Sequence, residues 1–194
     1  MKSKTLVTGG TGLVGAHLLM ELVKNDQNII AIKRKSSNIN NVKEIFNFYD
    51  DNGDKLYEKI NWIDCDLNDI VLLEEVIKDC DYIFHCAGFV SFNNNFKDEM
   101  IEVNYVGTSN IIDIALKHKV KKICHVSSIA TLGNSKNIDE NSLWSWESRS
   151  GYAISKYLAE NEVWRAFSEG MEGIIVNPSV VIGPISGNST FKKI

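Results

Sequence analysis

One stretch near the start of the chain, Thr8-Gly9-Gly10-Thr11-Gly12-Leu13-Val14-Gly15, limits the choice of fold more than any other. It follows a short apolar strand pattern, Thr5–Thr8. It opens a helical stripe in which Val14, Leu18 and Leu22 recur every four residues, with Leu19 and Val23 beside them. Glycines at 9, 12 and 15 let the backbone turn tightly and approach an anion closely. The helix that follows aims its free N–H groups and positive dipole end at the same place. A strand, a glycine turn and a helix in this order predict a pyrophosphate-binding βα unit at the N-terminus.

The rest of the chain repeats the alternation. Strands are expected at Ile29–Ile32, Ile60–Ile63, Tyr82–Cys86, Lys121–Ser127 and Gly173–Val176. Helices are expected over Val42–Phe48, from Asn68 or Asp69 to Lys78, over Asn104–His118 and over Tyr152–Phe167, with a loop at Asp51–Gly53. Such alternation implies an α/β fold: a doubly wound parallel sheet of about six strands with right-handed crossovers and helices on both faces. No internal repeat or linker divides it.

Composition narrows the function. With 21 basic and 25 acidic residues the net charge is −4, which argues against a nucleic-acid binder. The basic run Lys117–Lys122 falls at a helix end, where it complements the dipole. Cys65, Cys80, Cys86 and Cys124 form no C-x-x-C pair and no zinc spacing, so reduced, buried thiols and no metal site are expected. No apolar run approaches the ~20 residues of a membrane span, and Leu6-Val7 is too short for a signal core. The expected location is the cytoplasm, without membrane association.

Five further groups carry chemistry. At the end of the second strand, where a carboxylate would accept from the ribose 2′-hydroxyl of NAD, the chain has Lys33-Arg34-Lys35. A guanidinium there can clamp a 2′-phosphate, so NADP is the expected cofactor and NAD the alternative. Asp66, after the third strand, is placed to meet the adenine edge or to cap the next helix. Tyr152 and Lys156 lie one turn apart on one helix face, where a lysine ammonium favours phenolate over phenol and so fits the tyrosine for proton exchange with a substrate oxygen. Ser127-Ser128 closes the fifth strand at its carboxyl end, and a hydroxyl there can hold that oxygen. Asn104 is expected to open its helix, as an orienting amide or a plain N-cap.

Together these segments resemble the extended short-chain dehydrogenase/reductase superfamily, which holds nucleotide-sugar epimerases and dehydratases, dihydroflavonol-type reductases and 3β-hydroxysteroid dehydrogenases. The likeness runs through Thr8–Gly15, His85–Gly88, Asn104–Thr108, Ser128–Gly133, Tyr152–Lys156 with Ala159-Glu160, and Asn177-Pro178-Ser179 through Gly183-Pro184. Asn177 stands where arginine is commoner. The resemblance implies that Tyr152 is the acid/base and that Lys156 tunes it and holds the nicotinamide ribose. It further implies that Ser128, rather than Ser127, binds the substrate oxygen, and that Asn104 supports the active-site helix or a water near Lys156. The implied cofactor contacts are Gly9, Thr11, Gly12, Leu13, Val14, Gly15, Lys33, Arg34, Asp66, Leu67, Cys86, Ala87, Gly88, Val126, Tyr152, Lys156, Pro178, Ser179 and Val180.

The resemblance implies an NAD(P)-dependent enzyme that moves hydride between nicotinamide and a carbinol or carbonyl carbon of a small-molecule substrate. Reductase chemistry is favoured by Lys33-Arg34 and by His85–Phe92. The alternatives are a nucleotide-sugar epimerase or dehydratase with tightly held NAD, and a non-catalytic dinucleotide-binding sensor or scaffold. A homodimer through the helices at Asn104–His118 and Tyr152–Phe167 is also implied. Residues 1–184 are expected to form the NAD(P)-binding Rossmann domain, and residues 185–194 the start of a truncated substrate-binding part. Weak or no turnover with retained cofactor binding is expected of the 194 residues alone.

Overall fold

Alternate residues of the first strand, β1 (Lys4–Thr8), are buried on opposite sides, Leu6 in one core and Val7 in the other. The same holds for β2 (Asn28–Lys33), where Ile30 and Ile32 face one way and Ile29 and Ala31 the other. Two buried faces are why these strands read as continuous apolar runs. The computed structural model describes residues 3–25, 27–133, 137–147 and 149–184, so the expectation for residues 185–194 lies outside the described residues.

β3 (Asn61–Asp64), β4 (Tyr82–His85), β5 (Lys122–Val126) and β6 (Glu172–Val176) complete a six-stranded sheet in the order β3-β2-β1-β4-β5-β6. Every pairing is parallel, with Leu6 opposite both Ile30 and Ile83. The strand order reverses between β1 and β4. A crevice opens at their carboxyl ends, the usual ligand site of open α/β sheets.

On one face, α4 (Ile70–Ile77), α6 (Gly107–Lys117) and α7 (Gly151–Ser168) bury Leu73, Ile77, Ile111, Ile112 and Val163 against Leu6, Ile83 and Ile123. On the other, α1 (Leu13–Lys24), α2 (Asn40–Tyr49) and the short α3 (Gly53–Tyr57) bury Leu19, Val23, Ile45 and Phe46 against Val7 and Ile29. The expected loop at Asp51–Gly53 thus runs into a helical turn. On this second face an apolar groove runs over β4, β5 and β6, lined by Phe84, Cys124 and Ile174, the last 59% exposed.

One expectation is corrected. Asn104 does not open a helix. The helix begins at α5 (Lys97–Met100), widens into a π-helical stretch at Ile101–Val106 and continues as α6. Lys97-Asp98-Glu99 is polar and shows no apolar stripe, so the first turn escapes a periodicity reading. Such widened turns inside helices often occur at functional sites.

Candidate active site

The glycine turn is built around a close approach of two backbones. Gly9 has φ +67°, and a Cβ there would sit 2.4 Å from the Ala87 nitrogen. A Cβ at Gly15 would sit 2.3 Å from the Gly9 carbonyl oxygen. Both positions therefore need glycine. Gly12 differs: its nearest neighbour would be the Gly9 oxygen at 3.4 Å, so the fold itself leaves room there. Gly12 also begins α1 with no side-chain cap, which leaves the first N–H groups of the helix unserved by side chains. An open cradle beside uncapped donors fits the pyrophosphate of a dinucleotide.

The crevice beyond this turn is lined by Gly9, Thr11, Gly12, Lys33, Arg34, Asp66, Leu67, Cys86, Ala87 and Gly88, and also by Thr8, Ile32, Ser37, Cys65, Asn68 and Val103. The second group was not legible as ligand-facing from sequence. Lys33 is ion-paired with Asp64 at the end of β3. Asp66 accepts from the Asn68 N–H at 3.0 Å, whereas Asp69 caps α4 by accepting from the Leu72 N–H at 3.1 Å. Of the remaining expected contacts, Leu13, Val14 and Gly15 open α1, and Leu13 approaches Gly183. The Pro178 carbonyl accepts from the Ile129 N–H at 3.1 Å, while Ser179 and Val180 are exposed beyond it.

Tyr152 and Lys156 occupy the first two turns of α7, which Ser150 caps by accepting from the Ala153 N–H. Lys156 is 3% exposed and donates to the Val126 carbonyl at 2.8 Å. Burial pulls its ammonium down to about 8, against the opposing pull of Glu160. A Cβ on Gly88 would lie 4.0 Å from the Lys156 Nζ, so the lysine abuts the wall of the crevice. Ser128, 8% exposed, accepts from the Ala130 N–H at 3.1 Å, which leaves its own O–H free to donate.

Asn104 is buried and its amide makes three bonds. It accepts from the Phe89 N–H at 2.7 Å, donates to the Phe89 carbonyl at 2.9 Å and donates to Ser155 Oγ at 2.9 Å. It thereby joins the segment after β4 to the turn of α7 between Tyr152 and Lys156.

A buried histidine was overlooked as a positioning group. Ala87 N–H donates to Thr8 Oγ1, and Thr108 Oγ1 donates to the Asn104 carbonyl. His85 lies between them, its Nδ1 2.6 Å from Thr8 Oγ1 and its Nε2 2.9 Å from Thr108 Oγ1. Since the Thr108 proton is committed to Asn104, Nε2 carries the imidazole hydrogen and Nδ1 accepts from Thr8. The ring is neutral: burial, then the nearby Lys156, pushes it down to about 3. His125 packs 5.0 Å from His85 and is held neutral by burial, Lys156 and His85.

Outside the crevice, Trp144 stacks on Tyr157 at 4.0 Å with Arg149 4.3 Å over its other side, fastening the loop before α7 onto that helix. Cys65, Cys80, Cys86 and Cys124 are free thiols, and the described residues hold no cluster of metal-ligating side chains. Among the described residues no helix is long and apolar enough to cross a membrane.

Known proteins resemble this chain in sequence and in fold. The NAD dependent epimerase/dehydratase family matches residues 5–193. A protein of Synechocystis sp., provisionally named a dihydroflavonol 4-reductase, is 33% identical over 182 residues, which is 92% of this chain and 49% of that protein. The terminal R domain of the myxalamid PKS-NRPS pathway superposes with a TM-score of 0.77 at 25% identity, over 92% of this chain and 49% of that one. The UDP-glucuronic acid 4-epimerase of Bacillus cereus, solved with NAD, shares the fold at 21% identity and a TM-score of 0.76, over 93% of this chain and 58% of that one. The chain spans about half the length of the curated relatives it matches.

Proposed function

Because the chain belongs to the NAD dependent epimerase/dehydratase family, we propose that residues 1–184 are the cofactor-holding part of an NADP-linked reductase that acts on a small carbonyl or alcohol substrate. The reading rests on one observation above all: the Lys156 ammonium is buried against Gly88, so the Tyr152/Lys156 helix meets the nucleotide crevice. A sensor or scaffold has no need of a lysine kept there at a cost in solvation.

In this reading the glycine turn and the α1 N-terminus hold the pyrophosphate, and Cys86, Ala87 and Gly88 line the nucleotide. Bound nicotinamide supplies or accepts hydride. Ser128 donates its free O–H to the substrate oxygen and orients it. Tyr152 passes its phenolic proton to that oxygen in reduction and takes it back in oxidation. Lys156, protonated at neutral pH with its site at about 8, stabilises the phenolate that remains. Val126 fixes the ammonium through its carbonyl.

NADP is preferred to NAD on the strength of Arg34. Lys33 is engaged by Asp64, whereas Arg34 lines the crevice with Ser37 and its guanidinium has no partner among the described residues. The homodimer suggested by the resemblance would use α6 and α7, on which Trp164 is 54% exposed.

The test is Tyr152→Phe in the protein that carries this sequence. NADPH affinity should stay within about twofold, while NADPH-dependent reduction of a panel of aldehydes and ketones falls by about 100-fold or more. Full activity in the variant refutes the reading.

A further inference from the structure

Four side chains from three segments converge on one carboxylate at the back of the site. Glu160 lies on α7 one turn beyond Lys156. Its Oε2 accepts from Ser127 Oγ at 2.5 Å, Thr131 Oγ1 at 2.7 Å and Asn177 Nδ2 at 2.9 Å, and its Oε1 from Trp164 Nε1 at 3.3 Å. Thr131 Oγ1 is also 2.8 Å from the Ser128 carbonyl, but it has one proton, and the carboxylate is the stronger acceptor. The Ser128 carbonyl is then served by Asn177 Nδ2 at 3.2 Å. The residues flanking Ser128 on both sides, and the first residue after β6, are thus tied to the helix that carries Tyr152 and Lys156.

We propose that Glu160 is a positioning residue with two linked tasks: it anchors the Ser127–Thr131 segment and Asn177 to α7, and it is the counter-charge of Lys156. This rests on the reading of Ser128, Tyr152 and Lys156 as one acid–base site. The position is informative because Asn177 is neutral. An arginine there would compensate the carboxylate; an amide satisfies its lone pairs and leaves its charge directed at Lys156.

The other groups around Lys156 leave that task to Glu160. From β4, His85 is neutral, pushed down to about 3. From β5, His125 is neutral as well, pushed down by burial, Lys156 and His85. After β4, the Cys86 thiol is pushed up to about 12 by burial and so stays protonated. On α7 itself there remain Tyr152 and Glu160. The Glu160 carboxylate is therefore the main group, ahead of Cys86, that opposes the desolvation of the lysine.

The test is a pH titration of Lys156 in the cofactor-free protein, followed by NMR of 13Cε-labelled lysine and assigned by the resonance lost in Lys156→Met. It is run in a Tyr152→Phe background, which removes the remaining titrating neighbour. Glu160→Gln keeps an acceptor for the three donors that meet Oε2 and removes the charge, and should lower the Lys156 midpoint by about one pH unit. Glu160→Asp should keep the midpoint near that of the parent. Thr131→Val breaks one tie without touching the charge and should leave the midpoint unmoved. An unchanged midpoint in Glu160→Gln, or an equal fall in Thr131→Val, overturns the proposal. Neither substrate nor turnover enters the measurement. Loss of the acid–base reading would leave the titration intact, and an unmoved midpoint would overturn the role of Glu160 alone.

Discussion

The Asn104 side-chain amide pairs with both backbone groups of Phe89, accepting from its N–H at 2.7 Å and donating to its C=O at 2.9 Å. An amide used in this way acts as a one-residue strand, closing the chain after β4 against the widened helix. Asn104→Ala would leave both Phe89 groups and Ser155 without these partners. The expected destabilisation is about 2–4 kcal/mol, from the loss of buried hydrogen bonds, measured by urea unfolding. A change below about 0.5 kcal/mol would contradict this role.

The glycines of the nucleotide turn separate folding from binding. Gly15→Ala places a Cβ 2.3 Å from the Gly9 oxygen and should destabilise the protein as well as weaken NADPH binding. Gly12→Ala meets the Gly9 oxygen at an ordinary 3.4 Å, so its thermal midpoint should stay near wild type while NADPH affinity falls by about tenfold or more. Calorimetric titration alongside thermal denaturation distinguishes the two. Unimpaired NADPH binding by Gly12→Ala would show that the cradle holds no pyrophosphate.

Arg34 and Lys33 should behave differently despite being neighbours. Arg34→Ala should weaken NADPH by about 10–100-fold, the worth of a charge-assisted contact, and leave NADH nearly unchanged. Lys33→Ala should cost less than about threefold, because Asp64 already engages that ammonium. Fluorescence titration with both dinucleotides reads the contrast. Equal losses for NADPH and NADH in Arg34→Ala would point away from a 2′-phosphate.

Lys156 makes stability depend on pH in an unusual direction. Its site in the fold is at about 8, below the 10.5 of a free lysine. Between those values the unfolded chain binds the extra proton. The buried ammonium therefore costs stability below pH 8, and that cost is relieved as pH rises toward 10.5. Lys156→Met removes this cost and leaves the opposing cysteine contributions in place. The wild type should gain about 2 kcal/mol on this variant between pH 8 and pH 10, as measured by chemical denaturation without cofactor. A constant difference would mean that the lysine titrates alike in both states.

The parallel α/β class and the nucleotide turn were legible because strand alternation and the glycine spacing are written locally, whereas the strand order was not. Leu6, Val7, Ile29 and Ile30 alternate between two cores, and Gly9, Gly12 and Gly15 mark a backbone approach with no other simple use. Asn104 was found by type but misplaced by seven residues in its helix, since the polar turn Lys97–Glu99 carries no apolar period. Lys33 looked free in sequence because its partner, Asp64, comes from a strand 31 residues away. Glu160 was visible only as a neighbour of the Tyr152/Lys156 pair. Its four donors come from Ser127, Thr131, Trp164 and Asn177, and only the fold brings them together.

The hydrogen bonds from Ala87 through Thr8, His85 and Thr108 to Asn104 all point the same way. No member can be reversed without reversing the next, because each hydroxyl and the imidazole give at one end and receive at the other. A valine at Thr8 or Thr108 would leave one ring nitrogen without its partner, and a leucine at His85 would leave the Thr8 hydroxyl without its acceptor. In a drifting lineage these three sites would thus behave as a single locus, held or lost together, although Thr8 and Thr108 lie a hundred residues apart.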